Sequence, residues 1–401
     1  MAKSKKQQDS AATPQKHAEQ YLLWQQPLQK NDAPLKQSKR KLALLLPGHN
    51  EELIIETTIK SAIAAGQSKI DIYVVDDCSS DETRVKALAA LGPDHVLSVG
   101  RSGKALAVQK AIKHFKLAER YEWVHVADAD SVFGADYFRI YKKNLDADKY
   151  VVALGFVQSL RGNWISKYRA FTYTYSQHVY RRFQSYLGMI SVFPGPITCF
   201  NTRILDQLDF DSDSLTEDFD ITLQVHRKKL GKIKFIPRAV NYTQDPQTLD
   251  DFIKQNLRWQ RGFWQGMLKY RIGSKLQPVD IGIMYQMMEL VFYLTQMFAV
   301  LPYVLITTGR WEYIPAIFLA DFAVVGVIAL LSAAGTRRWS MLWSLFYFYI
   351  LRLLELGIFC QAFIEVVILR KYRTKSAVKG WSVAGRRYKI SEEALLDTAK
   401  A

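Results

Sequence analysis

Cysteine is scarce in this 401-residue chain: Cys78, Cys199 and Cys360 stand far apart, with no Cys-x-x-Cys pair and no Cys/His cluster. That excludes a disulfide framework and a structural zinc site, and it fits a reducing, cytosol-facing compartment. Also missing from the first 40 residues is the apolar run of a secretory signal. They are polar and rich in Lys and Gln, and read as a mostly disordered basic arm. Its one apolar patch, Tyr21, Leu22, Leu23 and Trp24, reads as a minor packing contact or an interfacial anchor. Acidic residues are in deficit, Asp+Glu 38 against Lys+Arg 54, a formal net charge of +16. A hydrophobic fraction of 49% with aromatics at 13% is too apolar for a disordered basic protein. The surplus therefore points to nucleic acid or to an anionic membrane surface. No RNA- or DNA-reading motif accompanies it, so no nucleic-acid partner is expected.

What is present begins at Lys41. Leu42 to Leu46 reads as a buried strand ending at Pro47, Leu53 to Ala65 has apolar residues at helical spacing, and Ile70 to Val75 is a second strand ending at Asp76-Asp77. Trp123 to Ala127 is another strand, ending at Asp128. Strands alternating with helices predict an α/β domain with a mostly parallel sheet, whose ligands sit at the carboxyl ends of the strands.

After about residue 280 the pattern changes. Leu290 to Thr308 carries no charge, and Ile314 to Ala334 carries only Asp321; both are long enough to cross a hydrocarbon core of about 30 Å. Met341 to Leu369 is long enough as well but contains Arg352, Glu355 and Glu365. With the preceding module in the cytosol, two crossings return Arg337-Arg338 to the inside, as the positive-inside rule asks. A third crossing would put the basic tail (Arg370, Lys371, Arg373, Lys375, Lys379, Arg386, Arg387, Lys389) outside. Either the third segment is re-entrant or interfacial, or the rule is violated.

Carboxylates lie at the strand ends. Asp128 and Asp130 follow the Trp123–Ala127 strand, and two oxygen ligands there suit Mg²⁺ or Mn²⁺ bridging to a diphosphate. The same letters at Asp146-Ala147-Asp148 fall among Lys and Asn and read as a solvated loop. The turns Pro47-Gly48-His49-Asn50-Glu51-Glu52 and Asp76-Asp77-Cys78-Ser79-Ser80-Asp81-Glu82-Thr83 offer acceptors for a base's imide or a ribose hydroxyl; each alone is also a capping motif. Lys104, after Gly103 at a helix start, meets phosphate there or is a surface lysine. In Thr216-Glu217-Asp218, burial and like charge would raise the proton affinity of Asp218, suiting a general base; the triplet alone is an acidic helix N-terminus. Gln255, Arg258 and Trp259 share one turn and present an amide, a guanidinium and an indole to one place, for diphosphate and sugar-ring contact, or belong to an amphipathic interfacial helix.

In this order, the PxxNEE turn, the DD turn, GK, DAD, the Pro194-Gly195-Pro196 loop, TED and QxxRW, followed by membrane helices, resemble the family 2 inverting glycosyltransferases of the processive kind. Cellulose, chitin and hyaluronan synthases belong there. Thr216 to Thr222, and Pro246 to Leu249 running into Gln255, look most like the bacterial poly-N-acetylglucosamine synthase branch. The resemblance covers about residues 42 to 270. It implies a GT-A-like nucleotide-sugar-binding domain (residues 41–280, ending in an interfacial QxxRW helix) between the arm (1–40) and a transmembrane region (281–370) with a basic tail (371–401). By the same resemblance Pro47, Asn50, Glu51, Asp76 and Asp77 hold the uridine, with Lys104 helping to hold the nucleotide. Asp128 and Asp130 hold the metal and diphosphate. Asp218, beside Glu217, is the catalytic base. Gln255, Arg258 and Trp259 hold the diphosphate and the acceptor end, and the Phe193–Phe200 stretch with Gly195, Thr198 and Cys199 floors the acceptor. Departures are Gln109 for Asn, Gln244 for an acidic residue and Asn256 for Arg. The paired helices that the resemblance would place before the catalytic domain are not seen, so an additional membrane subunit or self-association is an expected partner. The expected protein is a multi-pass inner-membrane enzyme with a cytoplasmic catalytic domain, a UDP-sugar donor and a glycan acceptor. Its rivals are a non-processive transferase acting on a lipid or polyprenyl phosphate and a catalytically silent scaffold.

Overall fold

The computed structural model describes residues 41–160, 162–210, 213–372 and 389–390. The basic arm with its Tyr21–Trp24 patch and most of the basic tail lie outside the described residues.

The first strand shows how sequence sets the architecture. β1 (Leu42–Gly48) is apolar at nearly every position and buried on both faces. Leu42, Leu44 and Leu46 face one core and Ala43 and Leu45 the other, which only a sheet covered by helices on both sides allows. α1 (Ile55–Ala64), β2 (Ile72–Asp77), α2 (Thr83–Leu91), β3 (Val96–Val99), α3 (Lys104–His114), β4 (Trp123–Val126), β5 (Val132–Phe133) and α4 (Tyr137–Asn144) follow. Then come β6 (Tyr150–Ser159), α5 (Trp164–Tyr175), α6 (Arg182–Leu187), β7 (Thr198–Asn201), α7 (Glu217–Arg227), β8 (Lys232–Thr243) and α8 (Leu249–Lys269). α1, α2 and α4 cover one face; α3 and α7 cover the other.

The strand order is β3-β2-β1-β4-β7-β6-β8-β5. β3, β2, β1 and β4 run parallel, as expected, but β7 is antiparallel to both β4 and β6, and β5 is antiparallel to β8. The sheet is mixed rather than mostly parallel. Winding reverses between β1 and β4, and the crevice outside their carboxyl ends is where such a sheet takes a ligand.

The apolar end of the chain forms two helices long and apolar enough to cross a membrane, Pro278–Thr308 and Tyr313–Thr336. The first is α9 (Pro278–Thr295), a π-turn and α10 (Leu301–Thr308); the second is α11. Both leave large side chains uncovered, Phe292, Ile306, Leu319 and Leu331 among them. The third apolar stretch is broken: a 3-10 segment, Trp339–Phe346, precedes α12 (Phe348–Phe363). It packs onto the α/β region. Tyr168 of α5 donates to Glu355 at 2.7 Å, Arg261 of α8 pairs with Glu365 at 2.6 Å, and Trp264 stacks near Phe359 and Phe363. Arg338, half of the basic pair after α11, is buried and donates to the Ser159 carbonyl at 2.6 Å, whereas Arg337 is exposed.

Candidate active site

A cleft of about 600 Å³ opens at the carboxyl ends of β1 and β4 and reaches under α8. Pro47, Glu51, Asp77, Lys104, Asp128, Asp130, Gly195, Glu217, Asp218, Gln255, Arg258 and Trp259 all line it, brought together from across the sequence.

The two turns that follow β1 and β2 are knitted to each other. Asn50, with left-handed backbone, accepts from the Ser80 amide, and the Asn50, Glu51 and Glu52 amides donate to Ser79, Thr83 and Asp81. Asp76 is buried and holds the Ser79 amide at 3.1 Å. Asn50 and Asp76 therefore shape the turns and do not line the cleft. Asp77 does, but its two oxygens also take Arg101, the Ser102 amide and the Gly103 amide, which fixes the loop carrying Lys104.

Lys104 is the electrostatic centre. Its ammonium pairs with Asp128 and stands 3.7 Å from Glu217, so it bridges the DAD and TED segments. Burial disfavours its charge, yet the surrounding Asp128, Glu217 and Asp218 hold its pKa above the ordinary lysine value. Gly195 lies against this pair: a β-carbon there would come within 2.7 Å of Lys104 Nζ and 3.4 Å of Asp128 Oδ1. Asp130 is buried and lines the same cleft.

Asp218 opens α7. Thr216 occupies the cap position but makes no side-chain capping bond; Asp218 Oδ1 instead accepts from the Phe219 amide at 2.8 Å. Burial, then the Glu217 charge, push the Asp218 carboxyl up to about 6, against the pull of Lys104 and Arg258. A carboxyl so placed is ionised near neutrality and more basic than a surface aspartate. Above it, Arg258 Nη1 donates to the Leu215 carbonyl at 3.1 Å and Gln255 accepts from Arg169 at 3.0 Å.

Two acceptor-floor residues fall elsewhere. Thr198 turns back to the Pro194 carbonyl at 2.8 Å and lines a small apolar hollow behind the loop. Cys199 sits wholly inside the core, between His125 and Ala153 in the strand register, and cannot reach a ligand. The second DAD copy lies with Lys41 and Glu122 at the opposite end of the sheet; Asp146 accepts the Asp148 and Lys149 amides, a loop as expected.

Sequence reading missed Asp245 and Arg181, which line the cleft, and Arg169, which donates to the cleft residue Gln255. Arg169 of α5 is buried, its guanidinium 4.7 Å from the Trp259 ring and 4.8 Å from Phe252. Asp245 is buried at the wall, where desolvation raises its carboxyl to about 7 against Arg169 and Arg338. Arg181 lies on a π-turn, Ser176–Arg181, between α5 and α6. Only Asp245, next to Pro246 ahead of the QxxRW helix, had a local signal; the arginines had none.

The chain is 26% identical over 236 residues to poly-beta-1,6-N-acetyl-D-glucosamine synthase of Staphylococcus aureus, covering 57% of this chain and 56% of that one. Against the Staphylococcus epidermidis enzyme of the same name it is 26% identical over 286 residues, 68% and 67% of the two chains. Among solved structures, the mannosyltransferase PcManGT of Pyrobaculum calidifontis, with GDP-Man and Mn²⁺, is 17% identical, with a TM-score of 0.48 over 79% of this chain and 94% of that one. Glucosyl-3-phosphoglycerate synthase of Mycobacterium tuberculosis, with Mn²⁺, UDP-glucose and phosphoglyceric acid, is 19% identical, with a TM-score of 0.41 over 59% and 81%. The model of glycosyl transferase family group 2 matches residues 123–360, more than half of the chain, from β4 through the cleft to α12, and the protein belongs to that family.

Proposed function

We propose that this glycosyltransferase is a membrane-bound inverting enzyme that moves a sugar from a UDP-sugar, UDP-GlcNAc or UDP-Glc, to a hydroxyl of a growing β-linked polysaccharide. One observation carries the reading: a half-buried carboxyl with a raised proton affinity, Asp218, stands at a helix start in the same cleft as Lys104, Asp128 and Arg258. Glu51 and Asp77 face the nucleoside, and Lys104 and Arg258 take the diphosphate charge. Trp259 offers a ring face to the acceptor sugar. Asp218 accepts the acceptor hydroxyl's proton as that oxygen attacks C1 from the face opposite the leaving group, which inverts the anomeric centre.

The donor set fits a hard divalent cation. Asp128 and Asp130 supply oxygen only, next to the place of the diphosphate, and Mg²⁺ or Mn²⁺ completes its shell with phosphate and water rather than with a protein cage. Such an ion would neutralise charge on the departing diphosphate.

Pro278–Thr308 and Tyr313–Thr336 would span the membrane, and α12 with the π-turn after it, tied to Tyr168 through Glu355 and to Arg261 through Glu365, would stay on the catalytic side. That arrangement keeps the basic tail inside without a third crossing.

Asp218→Asn should lower UDP release with a UDP-sugar by roughly 10² to 10⁴-fold while UDP binding persists. Retained turnover would remove Asp218 from the chemistry.

A further inference from the structure

The cleft that holds Lys104, Asp128 and Asp218 is also lined by Tyr173, Gln177, Tyr180, Arg181, Gln184 and Gln286. Two charged groups at these residues have partners there, Arg169 at the Tyr173 hydroxyl and Glu289 at the Tyr180 hydroxyl; Arg181 stands apart from both pairs.

Its state is unusual. The residue is 9% exposed, and among the described residues its Nη1 is buried without a hydrogen-bond partner. No ion pair to Arg181 is present among them either. Leaving a guanidinium nitrogen dry and unbonded costs a large desolvation penalty, and one-sided removal of a buried ion's partner is among the most destabilising changes known. Burial depresses the pKa of Arg181 to about 10 even though the Asp218 charge supports the cation.

The position is also built. Gln177, one turn earlier, clamps the π-turn to β6: its amide donates to the Val157 carbonyl at 2.6 Å and its oxygen accepts the Val157 amide at 2.9 Å. Tyr180 is tied to Glu289 of α9 at 2.7 Å. A wide turn of this kind is frequent at functional sites. Arg181 is thereby anchored from the sheet on one side and from an apolar helix on the other, facing the cavity.

We infer that Arg181 is the receptor for an oxyanion, a phosphate or a carboxylate, carried by the acceptor. The inference rests on the glycosyl-transfer reading above, in which Asp218 is the base and the donor meets Lys104. A guanidinium offers two parallel donors to such a group, which would anchor the acceptor while its hydroxyl meets Asp218.

The test uses the full chain in nanodiscs, with and without UDP and Mn²⁺, titrated by calorimetry with hexyl glucoside, hexyl glucuronide and hexyl phosphate. The wild-type protein is expected to bind one or both charged probes at least tenfold more tightly than the neutral one. A glucuronide preference identifies a sugar-borne carboxylate, and a hexyl phosphate preference a headgroup phosphate. Arg181→Gln should erase the preference and Arg181→Lys should keep part of it, with UDP affinity intact in both. Equal binding of all three probes by the wild type, or a preference that survives in Arg181→Gln, overturns the inference. So does loss of UDP affinity in Arg181→Gln, since the guanidinium would then serve the donor. Failure of the wild type to bind UDP counts instead against the donor reading and leaves the probe comparison to be judged without it.

Discussion

At the scale of single residues, the proposed chemistry depends on one half-buried carboxyl. Burial and Glu217 raise the Asp218 pKa from an ordinary aspartate value to about 6. The base works only when ionised, so kcat/KM should fall tenfold per pH unit below about 6 and level off above it. In Asp218→Asn that acidic limb should disappear from whatever rate remains. The stability sign is opposite. A carboxyl whose folded pKa lies above its unfolded one costs nothing when both states are protonated, and its full cost appears as pH rises past the folded value. Thermal unfolding at pH 8 should therefore show Asp218→Asn no less stable than the parent, while a lower Tm would mean the carboxylate serves the fold. Which residues reach the cleft was largely legible, because the DAD, GK, TED and QxxRW groups stand at strand ends and helix starts where side chains have nowhere else to go. Asn50, Asp76 and Cys199 lie off the cleft lining for a physical reason. The same residue types that bind ligands also close turns, and a strand's two faces cannot be told apart in a run as short as Thr198–Asn201.

At the scale of elements, two segments distant in sequence share one site because α8 crosses the start of α7 at close range. Gly262 and Gly266 make the approach possible: a β-carbon at 262 would come within 2.2 Å of Thr216 Oγ1, and one at 266 within 2.4 Å of Phe219 Cε1. Gly262→Ala, which in a free helix would add roughly 1 kcal/mol of stability, should here push α8 away from Thr216 and break the Arg258 contact to the Leu215 carbonyl. Turnover is expected to drop at least tenfold with circular dichroism unchanged; normal turnover would mean the helices yield without moving Arg258. The helices themselves were readable from their apolar spacing, and so was the parallel half of the sheet. The antiparallel half was not. A short apolar run carries no sign of its direction, and β7 enters the sheet only because the Pro194–Ile197 turn brings the chain back beside β4. The third apolar stretch was legible only as ambiguous, since its two glutamates acquire meaning from Tyr168 and Arg261, far away in sequence.

At the scale of the whole molecule, α7 is bolted to the first apolar helix by a buried ion pair. Arg227, at the far end of α7 from Asp218, grips Asp280 of α9 with two bonds of 2.6 and 2.7 Å, and its guanidinium also donates to the Gln277 side chain and the Tyr270 carbonyl. Both side chains are almost fully buried, 8% and 0% exposed, so neither charge can turn to water if the other is lost. Removing one partner of such a pair costs about 3 to 5 kcal/mol, whereas replacing both by apolar groups of similar size can be nearly neutral. Asp280→Ala should therefore sharply lower the Tm of the full chain in nanodiscs. It should weaken turnover too, because α7 loses the fixed end that holds Asp218 under α8. Arg227→Met combined with Asp280→Leu should recover part of the lost stability, limited by the Gln277 and Tyr270 oxygens that Arg227 no longer satisfies. If the double variant is as unstable as the single one, the tie acts through shape and not through charge. If Asp280→Ala leaves both Tm and turnover unchanged, the apolar helices hold the catalytic region by their other contacts alone, through the Trp264, Phe359 and Phe363 cluster and the Arg261–Glu365 pair.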